Sequence, residues 1–112
     1  MNYITKLQEN LLTAVQVSPY REKTIVFGEG AEAPLLMMIG EAPGGDEEKQ
    51  GRPFVGKAGK NLSAFLEVVG LKREEIYISN VVKLRPTKES PKTGKAVNRP
   101  PSAEEIAFFL PF

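Results

Sequence analysis

Ile4, Leu7, Leu11 and Leu12 share one face at helical spacing, which predicts an amphipathic packing helix over residues 2 to about 15. Pro19 ends that pattern, and residues 24–27 form a short β-prone run closed by Gly28 and Gly30, an edge strand or hairpin arm. Residues 35–39 are apolar at every position, the pattern of a central strand covered on both faces. Ala58, Leu62, Phe65, Leu66 and Val69 then repeat at three-four spacing, with Gly70 placed to end a helix in a left-handed cap. Residues 75–82 read as a second buried strand. Strand, helix, strand over this distance is a βαβ unit, so the two strands are expected to be parallel and the fold α/β with a mostly parallel sheet. Ser102 and Glu105 fit a capping box that opens a final helix with Ile106, Phe109 and Leu110 on its buried face. That helix would leave Phe108, Phe109 and Phe112 exposed at the chain end, so the domain is expected to be incomplete at its C-terminus.

Between the first buried strand and the following helix lies I-G-E-A-P-G-G-D-E-E-K-Q-G-R-P-F-V-G-K-A-G, residues 39–59. Six glycines permit close backbone approaches there, and Pro43 and Pro53 stiffen the segment. A loop on the exit side of a strand in an open α/β sheet occupies the crevice where ligands bind. Its spacing is neither G-x-G-x-x-G nor a Walker loop, which leaves a nucleotide-phosphate site without support.

The 112 residues suit one domain or part of one, with 41% hydrophobic and 26% charged residues, as in ordinary globular chains. A net charge of +1 gives no global pull toward DNA or a membrane, so a nucleic-acid contact must rest on local clustering. Lys83, Arg85, Lys88, Lys92, Lys95 and Arg99 against the single acid Glu89 provide such a cluster. With no cysteine and no histidine, disulfides, thiolate metal sites, a catalytic thiol and the commonest general base are excluded from these residues. The N-terminus reads as neither a signal peptide nor a membrane span, and the protein is expected to be cytoplasmic.

G-E-A-P-G at residues 40–44, G-R-P-F-V-G-K-A-G at 51–59, I-Y-I-S-N-V-V-K-L-R-P at 76–86 and N-R-P-P-S-A-E-E-I from Asn98 resemble the uracil-DNA glycosylases of family four. That family is also described as related to the N-terminal part of a phage-type DNA polymerase. The resemblance implies a three-layer glycosylase-like fold, of which residues 1–112 are the N-terminal part, and a role in base excision repair. It also marks three departures. The usual members hold an iron-sulfur cluster on four cysteines, and the matching positions here are Val15, Ser18, Leu84 and Phe109. None can be a thiolate ligand, so the cluster is expected to be absent and packing to stand in its place. The family continues through a later histidine-containing motif that this chain lacks, and T-K-E-S-P-K-T-G-K-A-V, residues 87–97, reads as a basic insertion, either a DNA-backbone contact or a solvated turn.

By the same resemblance, Phe54 matches the aromatic residue that stacks on a flipped uracil, and Asn80 the residue that reads the base. An amide offers a donor and an acceptor together, which suits the O4 and N3–H edge of uracil and mismatches cytosine. Glu41 matches the acidic residue of the first motif, placed to orient water or stabilise a cationic sugar, and Glu47 matches a further acidic position. Ala42 stands where other glycosylase families place an aspartate. The backbone of Ala42 to Gly45, including Gly44, would face a uracil oxygen or a phosphate, and Lys83, Arg85 and Arg99 would hold the DNA backbone. The expected partner is uracil-containing DNA and the expected activity hydrolysis of the N-glycosidic bond, with this chain alone inactive. The alternative is a non-catalytic nucleic-acid or nucleobase binder.

Overall fold

The computed structural model describes residues 3–112. The first helix, α1 (Tyr3–Gln16), follows the predicted stripe as far as the described residues reach. Leu11 and Val15, one turn apart, are its buried pair, while Leu12 is exposed. The β-prone run at residues 24–27 forms no ladder of its own. Val26 is buried and its N–H donates to the Lys83 carbonyl at 2.7 Å, and the strand proper, β1 (Glu29–Gly30), begins two residues later.

Two further strands flank the site. β2 (Met37–Gly40) pairs in parallel with β3 (Tyr77–Asn80), with Gly40 opposite Asn80, and β1 pairs with β3 antiparallel, so the order is β1-β3-β2. Between β2 and β3 come α2 (Gly45–Gln50), α3 (Lys57–Val69) and a single 3-10 turn at Arg73–Glu75. The short α2 lies within the segment read from sequence as an unbroken loop; six residues with no buried side chain leave no apolar periodicity to detect. Gly70 ends α3 in the expected left-handed cap, with φ 75°.

β3 is buried at all four positions and carries the core. Ile76 and Ile78 pack with Leu62 and Leu66 of α3, joined by Met38 and Phe54. A second cluster unites Leu11 and Val15 of α1 with Val82 and Leu84 beyond β3 and with Phe109 of the last helix. The expectation that residues 35–39 form a central strand covered on both faces is corrected here. β2 is terminal in the sheet, and Leu35, Met37 and Ile39 are 98%, 51% and 60% exposed. Only Met38 packs against α3; on the opposite face Met37 and Ile39 border an open cavity shared with α1 and the last residues of the chain, so a run that is apolar throughout is only partly covered.

The basic segment after β3 folds back as a hairpin, β4 (Thr87–Glu89) with β5 (Ala96–Asn98). The capping box at Ser102 and Glu105 forms as predicted and opens α4 (Ala103–Phe109). Of its expected buried face, Phe109 is fully buried while Ile106 and Leu110 are exposed. The terminal aromatics are likewise not the exposed set expected from sequence. Tyr20 meets Phe108 edge-on at 5.1 Å and Phe109 at 5.8 Å, and Phe108 meets Phe112 at 6.4 Å, so the rings shelter one another.

Candidate functional site

The parallel pairing of β2 and β3 brings their carboxyl ends side by side and places the segment 41–56 directly beyond them. Asn80 closes β3 with only 5% of its surface exposed, and among the described residues its carboxamide has no hydrogen-bond partner within the chain. It lines a cavity of about 50 Å³ together with Ala42, Glu47, Phe54 and Ala58. Four of these five residues were singled out from sequence; Ala58, read only as a helix-face residue, is the fifth.

Phe54 has φ 53°, the single non-glycine residue with positive φ among those described. An aromatic residue held there carries strain of about 1–3 kcal/mol, which surrounding structure must offset. Two glycines make room for it. A Cβ on Gly40 would meet the Phe54 ring at 2.6 Å and the Asn80 Oδ1 at 2.5 Å, and a Cβ on Gly59 would collide with the Phe54 carbonyl. Gly40 therefore lets ring and carboxamide converge over one strand end, and Gly59 lets α3 start directly beneath the turn.

Glu47 sits on α2 and reaches across the cavity. One oxygen accepts from the Gly44 N–H at 2.9 Å, the other from Val55 and Gly56 at 3.0 and 2.7 Å. Burial would raise its pKa, but the N–H groups of Gly56, Gly44 and Val55 outweigh that and hold the carboxyl below its usual range. Such a carboxylate is a poor proton acceptor and a good brace: it ties the glycine turn at 44 to the turn that carries Phe54. The same bond occupies the Gly44 N–H that the sequence reading aimed at a ligand. Glu41 is exposed at the end of β2, its carbonyl accepting from Val82 N at 3.0 Å.

The expected phosphate-holding trio is rearranged. Lys83 is buried, and its ammonium donates to the carbonyls of Asn80 and Val81, with burial pushing its pKa down. Arg99 forms a bidentate pair with Glu105 at 2.7 and 3.0 Å and also donates to the carbonyls of Thr87 and Pro100. Both cations are thus internal ties rather than surface clamps. Arg85 alone stays beside the glycine turn, bonded to Asn98 at 2.7 Å and within 3.7 Å of Glu48, and a Cβ on Gly45 would lie 3.4 Å from its guanidinium. Within the basic segment the exposed lysines are those of the hairpin, Lys88, Lys92 and Lys95. Sequence could not separate the two groups, since alternation within a hairpin and the reach of a buried lysine both depend on tertiary context. Arg73, which also contacts the Phe54 turn, was missed because nothing in K-R-E-E distinguishes it from a solvated charge run.

The residues at the four iron-sulfur positions do not fit that group. Val15, Leu84 and Phe109 fill one another's space in a single buried cluster, and the Ser18 hydroxyl is engaged with the Val15 carbonyl at 2.8 Å and the Tyr20 N–H at 3.1 Å. None offers a thiolate, and among the described residues no group of three His, Asp, Glu or Cys side chains could hold a metal ion.

Fold and cavity together define an α/β domain that presents an aromatic ring and an unpaired carboxamide at the carboxyl ends of parallel strands. Comparison with known families is more specific: the chain belongs to the uracil DNA glycosylase superfamily, whose family model matches residues 27–112. A type-4 uracil-DNA glycosylase of Sulfurisphaera tokodaii is 38% identical over 114 aligned positions, which take in all of this chain and 48% of that protein. Those of Archaeoglobus fulgidus and Thermotoga maritima are 37% and 45% identical, over 95% and 74% of the chain and 49% and 38% of their own lengths. The chain spans about half the length, or less, of these curated relatives. No described helix is long and apolar enough to cross a membrane.

Proposed function

We propose that these residues are the first half of a uracil-DNA glycosylase domain, and that the complete domain hydrolyses the N-glycosidic bond of uracil in DNA during base excision repair. The observation that carries the reading is the convergence of Phe54 and an unpartnered Asn80 carboxamide on one cavity, within a superfamily member whose relatives are named uracil-DNA glycosylases. Phe54 stacks on the extruded base and Asn80 reads its O4 and N3–H edge. Glu41, exposed beside the cavity, orients water or stabilises positive charge on the sugar. Glu47 serves by bracing the pocket walls, not by moving a proton. Arg85 and the hairpin lysines supply backbone contacts.

In the same reading the sheet is the middle of a three-layer, mostly parallel arrangement whose remaining layers cover the open face of β2. The packing of Val15, Leu84 and Phe109 stands where relatives of the usual type bind a cluster, and uracil-containing DNA in a cytoplasmic setting is the partner. The test is an excision assay on a labelled oligonucleotide with one uracil, using this chain and a chimera completed with the unmatched part of the Archaeoglobus fulgidus relative. The chain alone is expected to release little or no uracil. The chimera is expected to cut at uracil and to lose that activity in Asn80→Asp, whose side chain no longer donates. A folded chimera that binds uracil without releasing it would instead make this half a nucleobase-binding relative.

A further inference from the structure

We propose that Arg73 is the positioning residue for the Phe54 ring, acting through the backbone of the turn that carries it; the inference rests on the reading of Phe54 as a base-stacking platform. A phenylalanine at φ 53° does not stay there unaided. The Arg73 guanidinium supplies the restraint: Nη1 donates to the Phe54 carbonyl at 2.8 Å and Nη2 to the Pro53 carbonyl. Both peptide units that flank the strained residue are therefore caught by one planar group.

That group is itself fixed from behind. Its Nε and Nη2 donate to Glu29 Oε1 at 3.2 and 3.0 Å, and Glu29 also accepts from Nε and Nη2 of Arg52 at 3.0 and 2.8 Å. Glu29 stands on β1, which is registered to β3 by the pairing Glu29 with Ile78, so the anchor is referenced to the strand that ends in Asn80. On the opposite side, Glu47 holds the N–H groups of Val55 and Gly56. Carbonyls pulled one way and amides the other leave the turn no alternative conformation, and the ring is set over the cavity before a base arrives. A lysine at 73 carries its three donors on one tetrahedral nitrogen where the guanidinium spreads five over a rigid plane, and does not reproduce the paired grip on both carbonyls and the carboxylate.

Amide hydrogen exchange on the 112-residue chain tests this without any ligand. Arg73→Ala is expected to accelerate exchange at Val55 and Gly56 by roughly tenfold or more while α3 keeps its protection. Arg73→Lys is expected to accelerate it in the same direction and replaces the alanine variant should that fail to fold. Unchanged exchange in either folded variant overturns the inference. A second readout separates it from the base-stacking reading: the preference of the chain for an oligonucleotide with one uracil over the same strand with an abasic site, by fluorescence anisotropy. Phe54→Ala is expected to remove that preference and Arg73→Ala to reduce it about fivefold at equal fold. Preference lost in Phe54→Ala yet intact in Arg73→Ala overturns the positioning role alone. No preference in the unsubstituted chain, or its survival in Phe54→Ala, overturns the stacking reading while exchange still decides the clamp.

Discussion

Glu105 and Glu47 are each held more firmly as anions than free glutamates are, Glu105 by Arg99 and Ser102 and Glu47 by three backbone N–H groups. Glu105 is brought from its ordinary 4.5 to about 2 by hydrogen bonds from Arg99, against an opposing effect of burial, with help from Ser102. A carboxyl whose folded pKa is depressed contributes stability above its unfolded pKa and loses it as pH falls through the folded one. The contribution of Glu105 is therefore present above about pH 4.5 and disappears toward pH 2. With Arg99 about a third exposed, it amounts to roughly 2 kcal/mol rather than the full shift. Urea unfolding measured between neutral and acid pH should show this loss, and Glu105→Gln should flatten the profile. Glu47→Gln should also destabilise, by roughly 2 kcal/mol, because a half-buried carboxylate that receives three backbone N–H bonds is replaced by a group with one acceptor oxygen. The two variants differ in where the damage appears. Loss of Glu47 should open the Phe54 turn to exchange, whereas loss of Glu105 should fray the start of α4.

At the scale of elements, what could be read from sequence divides along a physical line. α1, α3 with its Gly70 cap, β3 and the capping box of α4 are written in local periodicity and local hydrogen bonding, and each forms where expected. β2, the hairpin and α2 depend on what lies beside them, which a single sequence does not contain. The site divides likewise: Phe54, Asn80, Ala42 and Glu47 are named by local motifs and line one cavity, but the brace contacts of Glu47 and the inward turn of Lys83 and Arg99 are consequences of packing. The substituted iron-sulfur positions give the sharpest element-scale expectation. Phe109 has no exposed surface and joins α4 to α1 and to the segment after β3, with Tyr20 and Phe108 against its ring. Phe109→Ala removes this union and should cost about 3–5 kcal/mol, enough to leave a domain of this size largely unfolded. Far-ultraviolet circular dichroism and urea titration measure it. A loss below 1 kcal/mol would mean that the aromatic packing does not hold these elements together.

Over the whole molecule, the largest apolar exposure lies on and beside β2. Met37 and Ile39 of β2 line a cavity of about 260 Å³ with Tyr3, Leu7, Tyr77 and Phe112, and Leu35 beside it is 98% exposed. The strand that carries them has a partner on one edge only. If the second half of the domain lies against this face, a charge placed there should be tolerated by the chain and ruinous to the completed protein. Ile39→Lys in the 112-residue chain is expected to change the urea midpoint little, since the side chain is already 60% exposed. In the chimera completed from the Archaeoglobus fulgidus relative, the same substitution buries an unpaired ammonium and should lower stability by roughly 3 kcal/mol or more, with excision falling in step. The Phe54 and Asn80 cavity lies at the strand ends, so Ile39→Lys leaves it intact, and the base preference of the isolated chain should survive unchanged. Equal stability effects in chain and chimera would show that the second half does not rest on β2, and the open face would then need a different occupant.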